Sequence, residues 1–247
     1  MDLSYQQLAE IIREKINSNE YVFDLALPSE RELAKSFDVS RSLVRSAIEQ
    51  LCTEGILKKY HGKGTYIMLK DIDDSSKHFK GMSELLKKAG YDPSSKILNT
   101  MTRKAGYKFS KIFDVSEDTE IFEVLRLRLG NEQPISIENT YILHDSIPDI
   151  ENIDFQIYSL YDLFRTNNIK IQDISHAFST TKVHNTDARF LNLENDTSVI
   201  YVDITSSLID NQVVEYTEVL VRPEFSKYYT DGIFKNGIYQ VNAQVVI

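Results

Sequence analysis

Apolar residues recur three and four apart through the first quarter of the chain, and every second residue through much of the rest. Leu8, Ile11, Ile12 and Ile16 keep the first spacing, and Ser4 with Gln7 has capping-box spacing, so a helix is predicted over Tyr5–Asn17. Leu27-Pro28-Ser29-Glu30-Arg31-Glu32 carries a second such box, Ser29 with Glu32, ahead of Leu33, Ala34 and Phe37. After the tight Asp38-Val39-Ser40 connection, with Ser40 as N-cap, a third helix is predicted from Arg41 to Glu54. Its apolar side holds Leu43, Val44, Ala47, Ile48 and Leu51, its other side Arg41, Ser42, Arg45, Ser46 and Glu49, and Gly55 stops it. Two short apolar-rich strands follow, Ile56–Tyr60 and Thr65–Leu69, joined by the tip His61-Gly62-Lys63-Gly64.

Short helices around a tight turn, then a glycine-tipped hairpin, describe a winged helix-turn-helix. The third helix is narrow enough for the major groove, and its arginines suit guanine edges or phosphate. The wing glycines permit close backbone approach to DNA, with Lys63 reaching out. This region is assigned residues 1–70. The polar run Asp71–Lys77 reads as a linker, placed at 71–78, and a second domain occupies 79–247.

In that second domain the clearest strands are Glu120–Gly130, Gln133–His144, Ser198–Leu208 and Gln212–Arg222, with hairpin turns at Asn131-Glu132 and Asp210-Asn211. Helical stretches fit Gly81–Ala89, Ser159–Thr166 and Thr186–Asn192. The mixture predicts an α+β domain built on an antiparallel sheet.

The net charge of −9 changes the picture only through its distribution. Residues 1–70 carry ten Lys/Arg and ten Asp/Glu, while the remainder carries 18 basic and 27 acidic residues. DNA would repel the acidic remainder, so the first region is the expected binding surface. No apolar run approaches a membrane span, the N-terminus lacks a signal-peptide layout and Cys52 is the only cysteine, which together lead us to expect a cytoplasmic protein without membrane association. The five histidines form no metal-binding motif, and no nucleophile or phosphate-loop fingerprint occurs, so no metal, cofactor or catalytic residue is expected. Cys52, Phe122, Tyr141, Phe178 and Tyr201 are expected in the core.

The run LPSERELAKSFDVSRSLVRSAIEQLCTEGILKKYHGKGTYI resembles the DNA-binding domain of the GntR family of regulators without a gap. The resemblance implies DNA contacts from Arg31, Arg41, Arg45 and the wing, Gly62, Lys63 and Gly64, with Ser40, Ser42 and His61 at further contact positions. Leu43 departs from the threonine frequent there. The remainder resembles the UTRA effector domain of the HutC subfamily, with its chorismate-lyase-like fold. The segments that carry this are Met82-Ser83-Glu84 to Gly90, Leu125–Arg128, Pro134–Glu138, Tyr158–Tyr161 and Val214-Glu215-Tyr216.

On strand 120–130, Arg126 and Arg128 share one face, with Ile121, Leu125, Leu127 and Leu129 on the other. Adjacent arginines repel unless an anion or a protein carboxylate lies between them. Spacing leaves both open, and the resemblance, whose sugar-phosphate-binding members use arginines here, favours the anion. Ser159 and Tyr161 at a helix start and Ser83 in its turn are candidate hydroxyl donors, or plain caps. Glu138 and Glu215 lie in apolar strands, either reading the hydroxyl or amine groups of a ligand or serving internal partners. Val221 stands where sugar-phosphate-binding relatives often carry an aromatic.

The expected protein is therefore a repressor that binds an imperfect operator palindrome as a homodimer and is released by a small phosphorylated effector such as a sugar phosphate. A carboxylate effector such as urocanate, or a chorismate-lyase-like enzyme, are the alternatives.

Overall fold

The computed structural model describes residues 3–18, 20, 21, 23, 25–68 and 86–225, and the backbone of 227–235 and 238–246. The chain divides into two compact units, residues 1–78 and 79–247. The expected linker and Ser83 lie outside the described residues.

In the first unit α1 (Tyr5–Asn17) and α2 (Glu30–Ser36) both begin in complete capping boxes, made by Ser4 with Gln7 and Ser29 with Glu32. Helix α3 (Arg41–Thr53) begins at Ser40, whose hydroxyl accepts from the Leu43 N–H at 3.3 Å, and is capped at its C-terminus by Glu54. Leu8, Ile12, Leu33, Val44, Ile48 and Leu51 form the core between them, closed by Leu57 and Ile67 of the antiparallel pair β1 (Leu57–Tyr60) and β2 (Gly64–Ile67). Cys52 is only half-buried and packs on the edge of this core. At the wing tip Gly62 has φ +73°, and an added Cβ would meet nothing within 4 Å. Backbone conformation, not space, calls for glycine there.

The second unit is built on a six-stranded antiparallel sheet in the order β3-β4-β5-β8-β7-β6. Its strands are β3 (Pro93–Lys104), β4 (Glu120–Gly130), β5 (Gln133–Leu143), β6 (Asp173–Lys182), β7 (Ser198–Ser207) and β8 (Val213–Val221). Strands β9 (Lys227–Lys235) and β10 (Ile238–Val246) form a separate hairpin. The β4–β5 turn has both central residues, Asn131 and Glu132, at positive φ, which matches the right-handed twist of the strands it joins.

One sheet face is covered by α4 (Gly106–Phe113) and α6 (Asn185–Phe190). Phe109 and Phe113 pack there on Ile121 and Tyr141, and Ala188 and Leu191 on Leu127 and Ile137. Towards the other face lies α5 (Leu160–Thr166), with Leu163 and Phe164 fully buried, and Phe155 stacks on Phe122. The sheet therefore has no solvated face at its centre, and Arg126 and Arg128 share a buried face with Phe122 and Val124. Strands β3 and β6 and helix α4 are absent from the sequence-based expectation. Phe178, expected in the core, is 38% exposed on edge strand β6, and Tyr201 is only half-buried.

Candidate functional site

A β-bulge sets the chemistry of the buried sheet face. The β4–β5 ladder runs Gly130 to Gln133 and Leu129 to Pro134, then shifts so that Arg128 lies opposite Ser136 and Arg126 opposite Glu138. Without that extra residue both arginines would face isoleucines, and Glu138 would sit on the opposite side of the sheet. Pro134 lacks an N–H for the ladder, which suits it to the irregularity.

The shifted register lines up polar side chains across five strands. Ser95, Arg128 and Ser136 form one row and Arg126 with Glu138 the next. Thr140 with Thr217, then Glu215 with Ser206, follow. Arg126 Nη2 donates to Glu138 Oε2 at 2.9 Å, Arg128 Nε lies 3.6 Å from Glu138 Oε1, and Arg128 Nη1 donates to Ser95. All three charged side chains are less than 10% exposed. Burial pushes the Arg128 guanidinium below its ordinary range, and Arg126 adds to the shift while Glu138 opposes it. Arg126 Nε and Ser136 Oγ are buried with no hydrogen-bond partner among the described residues.

Glu215 lies fully buried at the other end of the polar strip. Its carboxylate accepts from Ser206 at 2.6 Å and from Thr217 at 2.8 Å, and Tyr161 places its hydroxyl 3.3 Å from Ser206. The two ends sense each other's charge: Arg126 acts on Glu215 and Glu138 on Tyr161. Ser159 caps α5, its hydroxyl accepting from the Asp162 N–H at 3.2 Å while its own proton stays available to donate. Of the expected effector-site residues, Arg126, Arg128 and Glu138 thus form one bonded group of the buried polar strip and Glu215 and Tyr161 belong to a second, with Ser159 at the cap of α5. Both carboxylates have internal partners. Ser95, Ser136, Thr140, Ser206 and Thr217 were missed. Alternation along β5 and β8 from Glu138 and Glu215 points to three of them, since Ser136, Thr140 and Thr217 are each two residues away.

Burial drives the Glu215 carboxyl above its ordinary value of 4.5, against the opposing pull of Ser206, Thr217, Tyr161 and Arg126. The folded protein therefore keeps this proton to higher pH than the unfolded chain. This contribution to stability is complete below the unfolded value and falls as pH rises through the folded one. Glu215→Gln should remove that fall and be at least as stable at neutral pH, as urea unfolding between about pH 4 and about pH 8 would read. A variant with the parent's pH slope would contradict the assignment.

In the first unit, Arg31, Ser40, Arg41, Ser42, Arg45, His61, Gly62, Lys63 and Gly64 are all exposed. Arg41 and Ser42 open α3, with the Ser40 and Ser42 hydroxyls 2.9 Å apart. Arg45, one turn on, is held by Glu30 of α2, which also receives Lys59 of β1. Among the described residues no three His, Cys, Asp or Glu side chains are grouped to hold a metal, and no helix is long and apolar enough to cross a membrane.

The same two units appear in known proteins. Residues 4–67 match the model of the bacterial regulatory proteins of the gntR family, and residues 88–226 match that of the UTRA domain. The HTH-type transcriptional repressor NagR of Bacillus subtilis (strain 168) is 26% identical over 219 residues, covering 88% of this chain and 90% of the relative. GmuR, an HTH-type transcriptional regulator of the same organism, is 27% identical, with 86% and 91% covered. In fold, the crystal structure of PhnF from Mycobacterium smegmatis superposes with a TM-score of 0.57 at 19% identity, covering 87% of this chain and 94% of that one. A DNA-binding fold joined to a sheet domain with a buried polar strip, in a chain whose relatives are named as regulators, has one reading: this protein belongs to the gntR family of bacterial regulatory proteins, in the group that carries a UTRA domain, and is a DNA-binding transcriptional regulator whose UTRA domain binds a small molecule.

Proposed function

We propose that the protein is a repressor released from its operator by a small phosphorylated effector, a sugar phosphate in the first place. One observation carries this reading: two buried guanidinium groups occupy adjacent positions of one strand face, with the Glu138 carboxylate beside both. The other carboxyl in the strip, Glu215, is taken up by the Ser206 and Thr217 hydroxyls and not by either guanidinium group. A phosphate supplies the opposite charge with several acceptor oxygens, suited to Arg126, Arg128, Ser136 and Ser95 together, and a carboxylate offers fewer. Ser159 and Tyr161 are further hydroxyl donors for the phosphate, and Glu138 and Glu215 would then read the hydroxyl or amine groups of the sugar. A relative in Escherichia coli (strain K12), 24% identical over 66% of this chain, is named a probable fructoselysine utilization operon transcriptional repressor.

DNA is bound by the exposed set on α2, α3 and the wing, as a homodimer on an imperfect palindrome, because one winged helix reads too few base pairs for genomic specificity. The effector acts by favouring the arrangement of the two DNA-binding units that does not fit the operator. Calorimetry with sugar phosphates and their unphosphorylated parents tests the ligand class. Binding is expected for the phosphorylated forms and to be abolished in Arg126→Ala and Arg128→Ala. Equal affinity for both forms, or tight binding of urocanate alone, would replace the phosphate by a neutral or carboxylate effector.

A further inference from the structure

The recognition helix does not hold its arginine alone. Glu30, the first residue of α2, accepts from Arg45 Nε at 3.2 Å and Arg45 Nη2 at 3.0 Å on one carboxylate oxygen, and from Lys59 Nζ at 3.2 Å on the other. Three elements converge on this carboxylate: α2, α3 and β1. The other acidic residue in the first turn of α2, Glu32, is committed to the capping box with Ser29, so Glu30 is not needed to start the helix. Glu49, also on α3, adds a weaker attraction on Arg45. The Arg45 and Lys59 side chains remain 55% and 41% exposed. Ion pairs open to this degree contribute little to stability, so fold maintenance is a poor account of the cluster.

The geometry of the guanidinium gives a better one. Arg45 has five N–H donors in a rigid plane. Glu30 takes the side edge, Nε and one Nη2 proton, and leaves the end-on fork of Nη1 and the remaining Nη2 proton. With the side edge occupied, that fork is the edge left to pair bidentately with O6 and N7 of a guanine in the major groove. Resting on the assignment of Arg45 as a DNA contact, we propose that Glu30 is the positioning residue for Arg45: it fixes the side edge so that the end-on fork reads a guanine, and its negative charge, shared with Lys59, keeps Arg45 from acting as a general phosphate binder. An unrestrained arginine samples phosphates on any sequence, whereas a restrained one gains only where guanine stands in the right place. Glu30 would thus set specificity without touching DNA.

The test uses the full-length protein and a pool of random-sequence duplexes, from which bound DNA is recovered and sequenced. The parent should enrich a two-fold related motif with a G·C pair at one position of each half-site that Arg45→Ala ceases to prefer. Glu30→Gln, which keeps side-chain size and the α2 cap, should lose preference at that same position by at least about ten-fold and retain the others. On a scrambled duplex Glu30→Gln should bind more tightly than the parent, with a salt slope steeper by up to about one unit. The double variant Glu30→Gln/Arg45→Ala should show the base preferences of Arg45→Ala alone. Preference retained in Glu30→Gln, or preferences lowered evenly at every position, would overturn the inference while leaving Arg45 a DNA contact. An Arg45→Ala variant with the parent's motif would overturn both.

Discussion

Glu138→Ala is expected to destabilise the sheet domain by about 3–5 kcal/mol, the cost of removing one partner from a buried ion pair. Glu138 is the carboxylate that stands between Arg126 and Arg128, and all three side chains are nearly inaccessible, so water screens little of the effect. Without it, two guanidinium groups face each other in a low-dielectric space. For a domain of this size the loss should lower the melting temperature by roughly 10 °C. Inorganic phosphate or a phosphorylated effector should restore part of it, with a larger thermal shift in the variant than in the parent, because the ligand's anion takes over the missing charge. Glu138→Gln should lie between the two, keeping shape and losing charge. Thermal unfolding with and without phosphate reads all three. A loss below about 1 kcal/mol in Glu138→Ala would mean that the pair is solvated as surface pairs are, and would remove the electrostatic argument for an anionic effector.

The second large effect concerns DNA. Arg41→Ala and Arg45→Ala should each weaken operator binding by about 1–3 kcal/mol per base pair no longer read, and the effect doubles in a homodimer that carries the substitution in both recognition helices. Lys63→Ala should weaken binding to all sequences alike and flatten the salt dependence, as removal of a phosphate-binding cation does. None of the three should change effector affinity, since the residues lie in a different compact unit from the polar strip. Equilibrium binding to a selected operator duplex checks this. Parent-like binding by both arginine variants would displace α3 as the recognition helix.

Much of the fold could be read from local chemistry. The ends of α1 and α2 follow from Ser4 with Gln7 and Ser29 with Glu32, because a capping box announces itself over four residues. The four central strands alternate against buried faces and were legible for that reason. Strands β3 and β6 were not, because they are the sheet edges. Nearly every residue of β6 is exposed, so neither of its faces leaves a hydrophobic period in the sequence. The candidate site was legible one residue at a time. Arg126, Arg128, Glu138 and Glu215 stand out as charges in apolar strands, but their mutual placement depends on the bulge between the Leu129–Pro134 and Arg128–Ser136 pairs. A register shift of one residue decides which side of a sheet Glu138 occupies, and alternation within either strand carries no information about it. The Glu30–Arg45–Lys59 cluster was hidden for a related reason: its members are 15 and 29 residues from Glu30 and meet only through tertiary packing.

On this reading an anion bound in the sheet domain controls DNA binding by the winged helices. Fluorescence anisotropy of a labelled operator duplex, with the full-length protein bound and a sugar phosphate titrated in, tests it most directly. Release is expected with the phosphorylated sugar and not with its unphosphorylated parent, with Arg126→Ala and Arg128→Ala staying on DNA throughout. Release by both forms alike, or by the sugar phosphate in the arginine variants as readily as in the parent, would contradict it.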